Sequence, residues 1–260
     1  MRIWARLKSL HRVATKLGPI HAFRLLREKI FLSTPSASIH HISQFKNVTH
    51  VSADTLIRHL FPLESKKIEN LESQYGKYMQ DFEARQLLPR RDFFDSIFDL
   101  GKNLSKFLYF GIRLTQPSQV IETGVAAGAS TNTLLFALQQ NGVGALASID
   151  VTPKVGELIQ QDLKSIWGLH VIGLKNSESE FLEVLDVIGD SLFFLHDSNH
   201  ALDWQIHELD GVRNRLKDCK YVAFDDISPD FIDYALLTYP ACKVYVFDEN
   251  RKFSAVLHFE

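Results

Sequence analysis

The sequence predicts an α/β protein: a mostly parallel seven-stranded sheet closed by an antiparallel C-terminal hairpin and preceded by a helical N-terminal extension. Three observations carry this. Val120-Ile121, ending in Glu122, runs into a turn holding Gly124 and Gly128, and the apolar stretch 134–138 follows at helical period, so the segment reads as strand, tight turn, helix. From there to residue 238, short apolar runs alternate regularly with segments of helical period, as βα repeats do. Residues 243–247 and 253–259 are then two closing strand-like runs, joined through Glu249-Asn250, that read as a β-hairpin.

Taken in order, residues 2–31 place Ile3, Leu7, Leu10, Val13 or Ala14, Leu17 and Ile20 at steps of three and four with basic residues between. That is an amphipathic helix, broken near Gly18-Pro19 and resumed through Phe23, Leu26 and Ile30. Three readings stay open for it: packing on its own domain or on a second copy in a homo-oligomer, lying on an anionic membrane surface, or an organellar targeting sequence. Ser33-Thr34-Pro35-Ser36-Ala37-Ser38 is a linker. Residues 52–88 read as two polar helices around Phe61-Pro62, and residues 92–114, with Phe93, Phe94, Ile97, Phe98, Leu104, Phe107 and Leu108, as a core helix. The division is therefore a helical region over 1–88 and a ligand-binding domain over 89–260.

Within that domain the expected elements are a strand over 145–150, a helix over 155–167, a strand over 169–174, a helix over 181–188 and a strand over 191–195. A helix over 201–216, a strand over 221–224 and a helix over 230–238 complete the alternation.

Bulk properties narrow the function. A chain of 260 residues with 45% hydrophobic content buries a full core. A formal net charge of −2 argues against a dedicated nucleic-acid binder, so no nucleic-acid partner is expected. Arg2, Arg6, Lys8, Arg12, Lys16, Arg24 and Arg27 all precede the first acid, Glu28, which leaves the N-terminus basic and the body acidic. The two cysteines, Cys219 and Cys242, lie in unrelated segments and suggest neither a disulfide framework nor a zinc site. With no apolar run of membrane-spanning length and no secretory apolar core at the N-terminus, a cytoplasmic location is expected.

The chemistry is expected beyond the carboxyl ends of the parallel strands. A dinucleotide fingerprint would carry a glycine where Ala126 stands, and a phosphate-cradling loop would end in Gly-Lys-Ser/Thr, which is missing. Glu122, Asp150, Asp197 and the Asp225-Asp226 pair instead end four of the five parallel strands, while the strand over 169–174 runs into Lys175-Asn176-Ser177. Like charges gathered on one rim need a cation or a hydroxyl-rich ligand to offset them. Gly124 is expected to turn with positive φ, and Gly128 to admit a close approach of backbone and ligand. Asp150 lies about twenty residues beyond Gly128, where an acid receives ribose hydroxyls; capping the next helix is the alternative.

The pattern Glu122-x-Gly124-x-x-x-Gly128-x-Ser130 resembles motif I of the class I S-adenosylmethionine-dependent methyltransferases, a Rossmann-like family. The spaced set His196-Asp197-Ser198-x-His200, Glu208-Leu209 and Phe224-Asp225-Asp226-Ile227 resembles a branch that includes sugar and natural-product O-methyltransferases, some of them metal-dependent. The resemblance covers residues 92–260, with Asp218-Cys219 standing where a Gly-Gly is usual. It implies S-adenosylmethionine as cofactor, held by Glu122, Gly124, Gly128, Ser130, Asp150 and Ser177. It further implies Mg²⁺ or Mn²⁺ on Asp197 and an acid of the Asp225-Asp226 pair, and His200 as the general base beside Asp197. The acceptor would be a hydroxyl on a sugar, glycan or natural product. His196 and His207 read as structural, and His200 as a helix cap is the alternative to the base. A catalytically inert scaffold and a nicotinamide-dependent oxidoreductase are the rival functions; Ala126 and the terminal hairpin disfavour the second.

Overall fold

The computed structural model describes residues 45–62, 65–86, 100–249 and 252–260. In chain order these form β1 (Thr49–His50), α1 (Ala53–Leu60), α2 (Ser65–Gln86), α3 (Lys102–Thr115), β2 (Gln119–Thr123), α4 (Ala129–Asn141) and β3 (Ala145–Asp150). A 3₁₀ segment (Gln161–Ile166), β4 (Trp167–Val171), α5 (Ser177–Ile188), β5 (Phe193–His196), α6 (Leu202–Arg215) and β6 (Tyr221–Phe224) follow. The chain closes with α7 (Pro229–Thr238), β7 (Lys243–Asp248) and β8 (Phe253–His258). The basic amphipathic helix expected over 2–31, the linker at 33–38 and the first part of the helix expected over 92–114 lie outside the described residues.

The strands make one eight-stranded sheet in the order β1-β7-β8-β6-β5-β2-β3-β4. Every pairing is parallel except those of β8, which slots antiparallel between β6 and β7. Successive side chains of a strand point to opposite faces, so continuous apolar runs fill two layers at once. Val120, Phe193, Leu195, Ala223 and Val256 pack on one face with Leu104, Phe107 and Leu108 of α3 and with Leu134 and Leu135 of α4. Ile121, Phe194, Val222, Phe224 and Leu257 pack on the other with Phe181 of α5, Leu209 of α6 and Phe231 of α7. Cys219 and Cys242 are buried and unbridged. Among the described residues, no helix is long and apolar enough to cross a membrane.

Three expectations change. The helix expected over 92–114 is not continuous: α3 starts at Lys102, with Gly101 in extended backbone as its N-cap. The sheet has eight strands rather than seven, because Thr49 and His50 pair with Tyr245 and Val246 at the outer edge of β7. A two-residue strand has no period to read. The helix expected over 155–167 is instead a loop ending in the 3₁₀ segment, and β4 starts at Trp167 rather than residue 169. The loop's amides are used elsewhere: Gly156 N–H donates to Ala126 O at 2.9 Å and Leu158 N–H to Ala127 O at 2.8 Å. Gly156 also sits at φ +74, which breaks a right-handed helix. The segment is a strap across the turn that follows β2.

Candidate active site

The strand order reverses at β2, which pairs with β3 on one side and β5 on the other. Crossovers on either side of such a point diverge and leave a crevice beyond the strand ends. Two loops meet there. The turn after β2 is pinned by Gly124 N–H donating to Ile149 O at 2.9 Å, and the loop after β5 by Asp197 N–H donating to Thr123 O at 2.9 Å. Gly124 has φ +80, and a Cβ there would lie 2.1 Å from the Asp197 carbonyl oxygen. Only glycine satisfies both the left-handed backbone and that approach. Gly128 also has positive φ, +91, but the atoms nearest a Cβ there belong to Ile159 and Gly156. The clearance at Gly128 admits the strap rather than facing an open space.

Asp150, at the end of β3, accepts Val125 N–H at 2.9 Å on Oδ2 and Thr152 N–H at 3.1 Å on Oδ1. Burial raises its pKa, and hydrogen bonds from the turn's amides oppose the shift. Glu122 is fully buried within β2 rather than beyond the strand end. Its Oε2 accepts Thr131 Oγ1 at 2.9 Å and Ser148 Oγ at 2.7 Å, and Ser130, also buried, hydrogen-bonds the same carboxyl. Burial pushes Glu122 up to about 7, and its Oε1 is a buried oxygen without a hydrogen-bond partner. Ser177 opens α5 beyond β4, three strands away from β5 in the sheet order.

The loop after β5 is held from below. Glu208 of α6 is fully buried and accepts Thr123 Oγ1 at 2.6 Å, His196 Nδ1 at 2.7 Å, Ser198 Oγ at 2.8 Å and the Trp204 indole N–H. Burial alone would raise its pKa; the His196 ring and these hydrogen bonds outweigh that and hold it below the usual carboxylate value. His196 is fully buried and stacks on Phe224 at 4.9 Å between ring centroids. His207 reaches the Glu178 carbonyl at 3.2 Å, away from the rim.

His200 sits above this floor, its ring 5.5 Å from that of His196 and its Nε2 3.7 Å from Asp226 Oδ2. Burial lowers its pKa to about 4 against the opposing pull of Asp226. The expected titration near neutrality is thus corrected: desolvation keeps the ring neutral at pH 7. Its Nδ1 is buried with no hydrogen-bond partner.

Of the acids expected to hold a metal, Asp197 and Asp225 present oxygens that lie, with a His200 nitrogen, within 4.8 Å of one another. Asp226, at φ +49, falls outside that set and faces His200 and Lys252. Burial and then the neighbouring Asp225 raise Asp197 well above the usual range, and burial raises Asp225 to about 7. Lys252, which sequence reasoning missed, pairs with Asp225 Oδ2 and stands 3.9 Å from Asp226 Oδ2. It comes from the β7–β8 connection, brought beneath β6 because Ile227 N–H donates to Phe253 O at 2.9 Å. No local signal marks it; only the pairing of β8 with β6 would have found it.

Residues 121–227 match a family model described as "Methyltransferase domain". No curated protein matches the chain in sequence. The fold is that of the SAH-bound Podospora anserina methyltransferase PaMTH1, at a TM-score of 0.52 and 10% identity, covering 77% of this chain and 98% of that one. An O-methyltransferase from Bacillus cereus in complex with SAH aligns at a TM-score of 0.46 and 12% identity, over 79% and 96% of the two chains. A putative O-methyltransferase from Klebsiella pneumoniae aligns at 0.48 and 15%, over 80% and 96%.

Proposed function

We propose that this protein is an S-adenosylmethionine-dependent methyltransferase that methylates a hydroxyl oxygen on a sugar, glycan or natural product. The observation that carries it is the meeting, at the β2/β5 switch point, of an acid-held left-handed glycine turn with a loop that presents a neutral histidine. The family-model match over 121–227 supports the same reading.

The donor set suits the cofactor. Asp150 is held by backbone amides that follow β2 and β3, and its place at the end of β3 suits a role on ribose hydroxyls. When bound, S-adenosylmethionine supplies a methyl group already activated on a sulfonium. What remains for the protein is to orient the acceptor and take its proton. The His200 ring, with Nε2 3.7 Å from Asp226 Oδ2, is the proposed acceptor of that proton. Glu208, through His196 and Ser198, fixes the loop that carries this ring. Mg²⁺ or Mn²⁺ on Asp197, Asp225 and Asp226 fits less well, because the Lys252 ammonium already pairs with Asp225 and stands 3.9 Å from Asp226 Oδ2. No step of the mechanism is assigned to a metal.

Asp150→Ala is expected to weaken S-adenosylmethionine binding by about 1–3 kcal/mol, the loss of charge-assisted hydrogen bonds. Calorimetry on the folded variant measures it. Unchanged affinity would remove Asp150 from the ribose role, and binding of NAD in place of S-adenosylmethionine would overturn the reading itself.

A further inference from the structure

We propose that Lys252 is the resident cation of this acid cluster, its ammonium paired with Asp225 and 3.9 Å from Asp226 Oδ2, so that methyl transfer needs no metal. The inference rests on the proposed function for its consequence in catalysis, but not for the occupancy of the cluster.

Three carboxylates and one imidazole converge on a small volume here, and the 4.8 Å grouping of Asp197, His200 and Asp225 has the composition of a metal site. A hard divalent ion needs those carboxylate oxygens to itself, together with waters in near-octahedral array. Asp225 is almost wholly buried; its Oδ2 is engaged by Lys252, and its Oδ1 has no hydrogen-bond partner, so what opposes an ion there is the adjacent ammonium charge. An ion bound beside that ammonium would face a like charge at close range in a poorly solvated cleft.

The lysine is placed by its backbone rather than by chance reach. Glu249 N–H donates to the Lys252 carbonyl at 3.0 Å, and the next residue, Phe253, accepts Ile227 N–H at 2.9 Å. Its carbonyl is thus fixed within the turn, and the residue after it is tied to the segment that follows Asp225 and Asp226. The lysine's charge offsets the acids from inside the fold and leaves the acceptor hydroxyl facing His200.

Mn²⁺ titration of the full chain, followed by loss of the free-ion EPR signal, tests this without turnover. Wild type should take up no stoichiometric Mn²⁺, whereas Lys252→Met, which keeps the stem and removes the charge, should bind one ion at least about tenfold more tightly. Lys252→Arg should behave as wild type, and Asp225→Asn added to Lys252→Met should abolish the uptake. Stoichiometric uptake by wild type at an affinity unchanged in Lys252→Met would overturn the proposal. So would absence of uptake in folded Lys252→Met, since the lysine would then not be what excludes the ion. Should Lys252→Met not fold, the wild-type titration decides alone. Failure of S-adenosylmethionine to bind would instead strike the proposed function and leave the Mn²⁺ result standing.

Discussion

His200→Gln is expected to lower kcat by roughly 10²–10⁴, the contribution of a positioned general base, while leaving S-adenosylmethionine affinity nearly unchanged. Glutamine keeps the polarity and much of the volume but has no basic nitrogen for the acceptor's proton. Because burial lowers His200 to about 4, the ring is in its proton-accepting form throughout the neutral range. Wild-type activity should therefore be flat in this group between about pH 6 and 8, not rising through the ordinary imidazole value. Steady-state kinetics on the folded variant, with calorimetry of cofactor binding alongside, measure both arms. Near-normal turnover would leave His200 a packing residue and pass the proton to a carboxylate of the rim.

The second large effect belongs to Glu208. Glu208→Gln should cost about 3–5 kcal/mol of stability, as expected when one member of a buried charged network is removed. Thr123, His196, Ser198 and Trp204 all present donors to this one carboxylate. The hydroxyls can turn away, but the indole N–H cannot, and an amide nitrogen among these donors meets them donor to donor. For a chain of this size such a loss lowers Tm by about 10 °C. The pH dependence has a definite sign. Glu208 is held below its ordinary value of 4.5, so its ionised form contributes stability above pH 4.5, and that contribution is lost as pH falls through the folded value. The gap between wild type and Glu208→Gln should accordingly shrink in acid. Thermal melts from about pH 2 to pH 8 test this, the gap holding above pH 4.5 and closing below it; a constant gap of less than 2 °C would mean the network is dispensable.

These two residues differ in how far the sequence exposed them. His200 was legible because Asp197, Ser198 and His200 fall within four positions of a strand end, where spacing alone fixes proximity. Its protonation behaviour was not, because that depends on desolvation by side chains from several elements. Glu208 was legible only as part of a resemblance. Its work as a four-donor acceptor requires α6 to lie across β5 with Thr123 of β2 in reach, and no window of sequence contains both.

The sequence by itself determined the alternation of strands and helices, the left-handed turn at Gly124 and the acids at the strand ends. Each is a short-range property: a period of two or of 3.6, a φ that only glycine adopts without strain, a residue type at the last position of a run. The tertiary structure alone decided the eighth strand, the strap over 151–160, the burial of Glu122 beneath the rim and the presence of Lys252 among the acids. A strand of two residues carries no period, and the amides of the strap bond carbonyls some thirty residues away. Glu122 turns inward because Thr131 and Ser148 offer hydroxyls there. Lys252 reaches Asp225 only because β8 runs antiparallel between β6 and β7 and so begins where β6 ends. That insertion is a choice of pairing partner, made by the buried faces of three strands together.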